Sequence, residues 1–336
     1  MGKIVQLFFW CHLFVIRRFQ IVSRNKEGIL MKRVFYFFTL YIFFAVSCNS
    51  GSEKTAVQTD TPKKGTIYIS VDESFKPVIE QEIKVYHSSY PETNIIASYK
   101  PEVECFKDLI KDSTRMIVVA RGLSKDETSF FENKLSFQAQ VALVAYDAVA
   151  VIVNIDSKDS IFTINDLKDI LSGKNNVTAV MDGKNATSSV RYLQDSVLRG
   201  ASFGKNVVAV NGSDAVIEAI KKNVNAIGFV GLSWVGNIDE PKQKEDLHKL
   251  RLALIECVKC TEKDMFAKPS QSTITFGQYS LARPLYYIVK ENAVGLGTGF
   301  VNFMSLERGQ LIFRRSGLAP AKMSFLKRNS KIKEQE

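Results

Sequence analysis

From Gly65 onward, short β-branched and aromatic runs alternate with segments whose apolar residues recur every three or four positions. That grammar predicts βα units built on mixed, mostly parallel sheets flanked by helices. Strands are predicted over Thr66–Ser70, Asn94–Tyr99, Met116–Ala120, Val141–Asn154, Asn206–Val210, Ala226–Val230, Arg251–Cys257 and Leu285–Val289. Several are apolar throughout, as strands covered on both faces are. A helix is predicted over Ser74–Tyr90, with Phe75, Val78, Ile79, Ile83, Tyr86 and Tyr90 on one face and Pro91 ending it. Thr163–Leu171 opens with a Thr-x-x-Asp capping box and stops at Gly173. Ser188–Leu198, Ser213–Lys222 and Thr298–Ser305 follow the same rules. The long apolar run Gln140–Asn154 fits a buried central strand, and equally a strand that leaves one sheet and enters another.

The first residues break this pattern. Met1 to Ser47 holds two apolar runs, Leu7–Ile16 and Val34–Val46, each beside basic residues. Met31-Lys32-Arg33, the apolar Val34–Phe44 and Ala45-Val46-Ser47-Cys48 form the three parts of an export signal ending in cysteine. The apolar stretch is shorter than the roughly 20 residues a membrane-spanning helix needs. This signal resembles a bacterial lipobox, which implies that Cys48 is acylated and becomes the first mature residue. A signal anchor is the alternative. Met31 is also an alternative start, which would make Met1 to Leu30 an upstream extension. Residues 1–47 are therefore expected to be a signal segment, and the polar stretch 48–64 a lipidated tether that cannot bury enough surface to fold.

The net charge of +10 suggests an anionic macromolecular partner until its distribution is considered. Residues 1–47 carry seven positive side chains against Glu27 alone, and without them the balance falls to +4. Much of the remainder lies in a basic tail, residues 323–336, where Phe325 is the only aromatic residue, so no nucleic-acid surface is predicted. Setting Cys11 and Cys48 aside leaves Cys105, Cys257 and Cys260. The lone Cys257-x-x-Cys260 has no second pair or nearby histidine to complete a zinc site, and in an oxidising compartment a local disulfide is favoured over a redox centre. Only His87 and His248 remain beyond the signal, which leaves little material for metal or histidine-based catalysis. No cofactor is expected.

Without a metal, an oxyanion is bound at helix N-termini, where unpaired amides and the helix dipole face it. Strand–turn–helix arrangements of this kind occur at Asp72-Glu73-Ser74-Phe75, at Lys184-Asn185-Ala186-Thr187-Ser188-Ser189 before Arg191, and at Asn211-Gly212-Ser213. Each turn taken alone also fits an ordinary N-cap. Arg121, directly after an apolar strand, can supply paired donors to a tetrahedral anion or be a surface arginine at a strand end.

In order and spacing, several segments resemble the phosphate-transporter substrate-binding family of the type II periplasmic binding-protein fold. They are Gly65–Phe75, Met116–Leu123, Asp147–Asn154, Thr163–Lys174, Ala226–Gly231, Leu281–Tyr286 and Phe300–Pro320. The resemblance implies a two-lobed α/β "Venus flytrap", with lobe 1 over 65–150 and 275–322 and lobe 2 over 151–274. It implies a monomer that closes around phosphate and delivers it to an ABC permease, is held in the periplasm or cell envelope by its lipid, and is not an enzyme. The ligand-binding residues it implies are Ser74, Phe75, Arg121, Thr187, Ser188, Ser189 and Arg191. The family's aspartate in the second loop is replaced by Ala120-Arg121, which leaves Asp72, Glu73 or Asp182 as the substitute carboxylate. Ser188 stands where the family has glycine, and Met181-Asp182 where it has arginine.

Those departures keep open a sensor or a binder of another oxyanion. A secreted phosphate-ester enzyme is the third reading. It lacks a G-x-S-x-G elbow, a P-loop and a cluster of metal ligands in the sequence.

Overall fold

A computed structural model describes residues 60–183 and 187–323. The expected lipid acceptor Cys48, the tether up to residue 59, Lys184-Asn185-Ala186 and the tail from residue 324 lie outside the described residues.

Thirteen strands are present among them. The main sheet runs β2 (Thr93–Lys100), β1 (Gly65–Asp72), β3 (Thr114–Val119), β12 (Ala282–Val289), β4 (Gln140–Asn154), β8 (Ala226–Gly231), β6 (Thr178–Asp182) and β7 (Val207–Val210), with β9 (Leu250–Leu252) and β13 (Ala319–Pro320) also paired to β4. β5 (Ile161–Phe162), β10 (Leu254–Glu256) and β11 (Phe266–Ala267) form a small second sheet.

The outer strands are parallel, as the sequence predicts: β1 with β2 and β3, β6 with β7 and β8. The middle is not. β12 runs antiparallel to β3 and β4, and β4 runs antiparallel to β8, so the sheet is mixed rather than mostly parallel. The first half of β4, up to Ala148, pairs with β12, and the second half, from Val149, pairs with β8. One strand therefore belongs to both lobes, which is the second of the two readings of Gln140–Asn154.

Two hydrophobic cores flank this crossing. The first packs β1, β3 and the start of β4 against α1 (Lys76–Ser89), α9 (Leu296–Ser305) and α10 (Glu307–Arg315), with Phe75, Tyr86, Phe300 and Phe313 at its centre. The second packs Val149–Val153, β6 and β8 against α4 (Ile164–Leu171), α5 (Ser188–Ser196) and α6 (Ser213–Lys222). Each fully buried Val, Leu, Ile or Phe contributes about 1.5–3 kcal/mol, so each lobe holds its own shape.

A smaller cluster, including Cys105, Leu109, Ile117 and Phe131, covers the other face of the first lobe's sheet under α2 (Glu102–Ile110) and α3 (Lys125–Leu135). The short α7 (Pro241–Asp246) and α8 (Gln271–Thr275) complete the helices described. Cys257 and Cys260 are joined in a disulfide and Cys105 is a buried free thiol. No described helix is long and apolar enough to cross a membrane.

Candidate functional site

β1 buries Ile67 and Ile69–Val71 and ends at the buried Asp72, whose carboxylate turns back as a cap. Its Oδ1 accepts from the Ser74 amide at 2.9 Å, starting a single 3-10 turn, Glu73–Phe75, that leads into α1. The turn is buried against the other lobe. The Ser188 amide, first in α5, donates to Asp72 Oδ2 at 3.0 Å, and the Ser74 and Ser189 hydroxyls are 3.1 Å apart. Ser233 Oγ donates to the Ser74 carbonyl at 3.0 Å and Trp234 Nε1 to the Glu73 carbonyl at 3.3 Å. A side chain at Gly231 would put its Cβ 2.5 Å from the Ser74 carbonyl oxygen, so only glycine allows β8 this close.

The charge at the centre is Arg283, on β12. It is 1% exposed, the largest fully buried side chain described. Nη1 donates to Ser188 Oγ at 3.0 Å and to Ser189 Oγ at 3.2 Å, while Nε donates to Asp147 Oδ2 at 2.9 Å. The guanidinium lies 5.0 Å from the centre of the Phe75 ring. Asp147 is its direct cross-strand neighbour in the β4–β12 ladder. A buried ion with its partner in register is oriented without searching rotamers, which is the arrangement a rigid anion site needs.

A second polar layer follows. Thr187 caps α5, accepting from the Val190 amide at 3.3 Å, and donates its own hydroxyl to Asp182 Oδ1 at 2.8 Å. Ser213 opens α6, donating its amide to Glu73 Oε1 at 3.1 Å, and its hydroxyl lies 3.0 Å from Glu73 Oε2 and 3.2 Å from Asp182 Oδ2. Gly212 precedes it at φ +87°, a left-handed conformation that suits glycine.

The structure thus brings together Asp72, Glu73, Ser74, Phe75, Asp182, Thr187, Ser188 and Ser189. It treats the two arginines expected from the sequence differently. Arg191 reaches across to the opposite lobe, where its Nε donates to Glu102 Oε2 at 2.5 Å, and Glu102 also accepts from the Ala120 amide at 2.9 Å. Arg121 does not join the cluster. Its guanidinium donates to both carboxylate oxygens of Glu127 at 2.8 and 2.9 Å and stacks 3.7 Å from the Phe106 ring centre. A partly exposed arginine held by a bidentate partner and an aromatic face is the strand-end surface residue of the alternative reading. Arg283 and Asp147 are the residues sequence reasoning missed. Their signal was present: each is a lone charge inside an otherwise apolar strand, a placement that demands a partner.

Burial dominates the electrostatics. It raises the Asp72 carboxyl to about 6, with Glu102 adding to the shift and Arg283 opposing it. It raises Glu73 to about 8, with the charge of Asp182 next in size. Asp147 is also raised by burial, against the pull of Arg283. Chemically, the site gathers the hydroxyls of Ser74, Ser188 and Ser189, the fixed Arg283 guanidinium and the carboxyls of Asp72 and Glu73, which here occupy the amide ends of α5 and α6. That set matches a small anion that itself carries a proton.

Residues 56–307 match the family model described as the PBP superfamily domain. The phosphate-binding protein PstS of Staphylococcus saprophyticus is 22% identical over 277 residues, covering 76% of this chain and 81% of that protein. The phosphate-binding protein PstS 2 of Streptococcus pneumoniae is 28% identical over 118 residues, so this chain spans only 34% of that relative's length. Among solved structures, a putative phosphate ABC transporter substrate-binding protein from Clostridium perfringens, with phosphate bound, superposes with a TM-score of 0.63 at 20% identity, covering 77% of this chain and all of that one. An ABC-type phosphate transport receptor from Vibrio cholerae gives 0.56 at 18% identity, covering 75% of this chain and 99% of that one.

Proposed function

This chain belongs to the PBP superfamily, and on that premise we propose that it is an extracytoplasmic binding protein for inorganic phosphate that hands its ligand to an ABC permease. The observation that carries the proposal is Arg283. A fully buried guanidinium held by Asp147 and aimed at seryl hydroxyls on the α5 N-terminus is an expensive arrangement for a binding cleft unless an anion uses it. The names of the relatives and of the two solved structures agree with that ligand class.

The ligand-binding residues in this reading are Ser74, the Phe75 amide, Thr187, Ser188, Ser189 and Arg283, with Arg191 bracing the closed lobes through Glu102. Closing the lobes removes water and strengthens every charge-assisted bond inside. The carboxyls supply selectivity: Asp72, Glu73 or Asp182 accepts a proton from a phosphate ion but repels sulfate, which has none to give. In the same reading the chain is a monomer tethered through a lipid on Cys48, and its cleft performs no covalent chemistry.

The test is thermal unfolding of protein freed of ligand by unfolding and refolding, in buffer, phosphate, sulfate or molybdate. A ligand at a hundred times its Kd stabilises the folded state by about 2.7 kcal/mol, and phosphate is expected to do so while sulfate does not. Equal shifts with phosphate and sulfate would remove the carboxyls from the selectivity argument. No shift with any anion would overturn the phosphate reading.

A further inference from the structure

Glu73 and Asp182 come from opposite lobes, yet both carboxyls converge on one hydroxyl, Ser213 Oγ, at 3.0 and 3.2 Å. A serine hydroxyl carries a single hydrogen. It can donate to one carboxylate oxygen, and the second contact is attractive only if that carboxyl holds a proton and donates it to Oγ. The remaining oxygens are already committed, Glu73 Oε1 to the Ser213 amide and Asp182 Oδ1 to the Thr187 hydroxyl. With both groups ionised, two like charges would share one donor in a buried place. The arrangement as it stands therefore calls for one proton more than two carboxylates and a serine contain.

We propose that Glu73, Ser213 and Asp182 form a proton-dependent latch between the lobes: one shared proton holds the cleft shut, and its loss lets the lobes part. This rests on the reading that the cleft opens and closes around an anion, and adds that the chain carries its own means of closing without one.

The surroundings support the assignment. Beside the latch, Asp72 on β1 is hydrogen-bonded to the Ser188 amide and feels the charges of Glu102, Arg283 and Asp182. Arg283 is committed to Asp147 and the serines, and Glu102 to Arg191, so neither cation neutralises Glu73. Lys76, Asp214, Trp234 and Lys242 line a neighbouring surface cleft, and Glu73 itself is only half-buried, so solvent can reach it. Lys242 there is paired with Asp214. Burial and the Asp182 charge raise Glu73 to about 8. The sign follows: the closed cleft keeps a proton that a solvated glutamate releases near 4.3, so the latch is complete in acid, weakens as the pH climbs, and is lost above about 8.

Hydrogen exchange followed by mass spectrometry reads the latch directly through the segments 72–77 and 211–216, on the full chain in phosphate-free buffer at pH 5.5 and 9. Comparing variants at one pH cancels the intrinsic exchange rate. Glu73→Gln keeps a donor and an acceptor but cannot ionise, and is expected to protect both segments at both pH values. Glu73→Ala cannot latch and is expected to exchange at least about tenfold faster than Glu73→Gln throughout. The native protein should match Glu73→Gln at pH 5.5 and Glu73→Ala at pH 9. Native protection equal to that of Glu73→Gln at pH 9 would overturn the proton dependence, and equal exchange in all three proteins at pH 5.5 would overturn the latch. Should Glu73→Ala fail to fold by circular dichroism, the native and Glu73→Gln proteins decide the matter alone. Phosphate titration calorimetry on the same three proteins separates this from the proposed ligand. Absence of phosphate binding in every variant would end the phosphate reading while the exchange data still judged the latch.

Discussion

Carboxylates sit on the amide ends of helices at the start of α9 and again in the cleft, and the two places differ in what the bonds join. At the start of α9, Glu291 accepts from the Gly297 amide at 2.9 Å and the Thr298 amide at 2.6 Å, Asp60 accepts from the Leu296 amide at 2.7 Å, and Arg115 bridges the two acids. Glu291, Arg115 and α9 belong to the first lobe, and Asp60 packs onto it just ahead of β1. In the cleft, Asp72 and Glu73 of the first lobe perform the same service for α5 and α6 of the second. Burial and hydrogen bonding are alike, so the chemistry of a cap does not reveal its role. A cap within one lobe is permanent structure, whereas a cap across two lobes must be broken whenever they part.

The largest effect is expected from Arg283→Ala. It should leave Asp147 as an unpaired buried charge, costing about 3–5 kcal/mol, and reduce phosphate affinity by at least about a hundredfold, some 2.7 kcal/mol. Urea unfolding and calorimetry measure the two effects. Restoring stability but not binding by adding Asp147→Ala would separate them.

Next in size is Glu291→Ala. It leaves four hydrogen bonds from Gly297, Thr298 and Arg115 without their acceptor and should cost about 2–3 kcal/mol in urea unfolding, with phosphate affinity unchanged. A change in affinity there would mean that the two clusters are coupled and the contrast is wrong.

A smaller effect comes from pH. Burial raises Asp72 to about 6 and Glu73 to about 8. Both folded-state values lie above those of the unfolded chain, so their stabilisation is fully present in acid and is lost as pH rises through 6 and then 8. Urea midpoints should fall between pH 5 and 9, and by less in Glu73→Gln. The smallest effect is expected from Arg121→Ala, which breaks a partly exposed pair with Glu127, worth under about 1 kcal/mol. Phosphate affinity should stay within about twofold, and a loss of tenfold would return Arg121 to the site.

Much of the fold was legible where one signal acted alone. The capping box of Thr163 and Asp166 forms as written, with amide contacts of 2.8 and 3.0 Å. Strands at β1, β2, β4, β7 and β8 fall within a residue or two of their expected ends. The misses have physical reasons. α2 has its buried face at Glu102, Cys105, Asp108 and Leu109, so half of its inward stripe is acidic and the apolar period is hidden. α3 buries only Phe131 and leaves no stripe to find. β6, Thr178–Asp182, is not among the predicted strands.

By itself, the sequence determined what depends on neighbours a few residues apart: the strands with both faces apolar, the capped helix starts, and the serine and threonine turns that supply donors. Those properties are local, because a cap reaches only the next turn of its own helix. The tertiary structure alone decided which arginine serves the cleft and which carboxyls meet there. Arg121 and Arg191 sit beside plausible turns but find Glu127 and Glu102 closer. Arg283 reaches the serines because the β4–β12 register sets it opposite Asp147, 136 positions away in the chain, and because one long strand shared by both lobes holds them face to face. No local pattern encodes that distance.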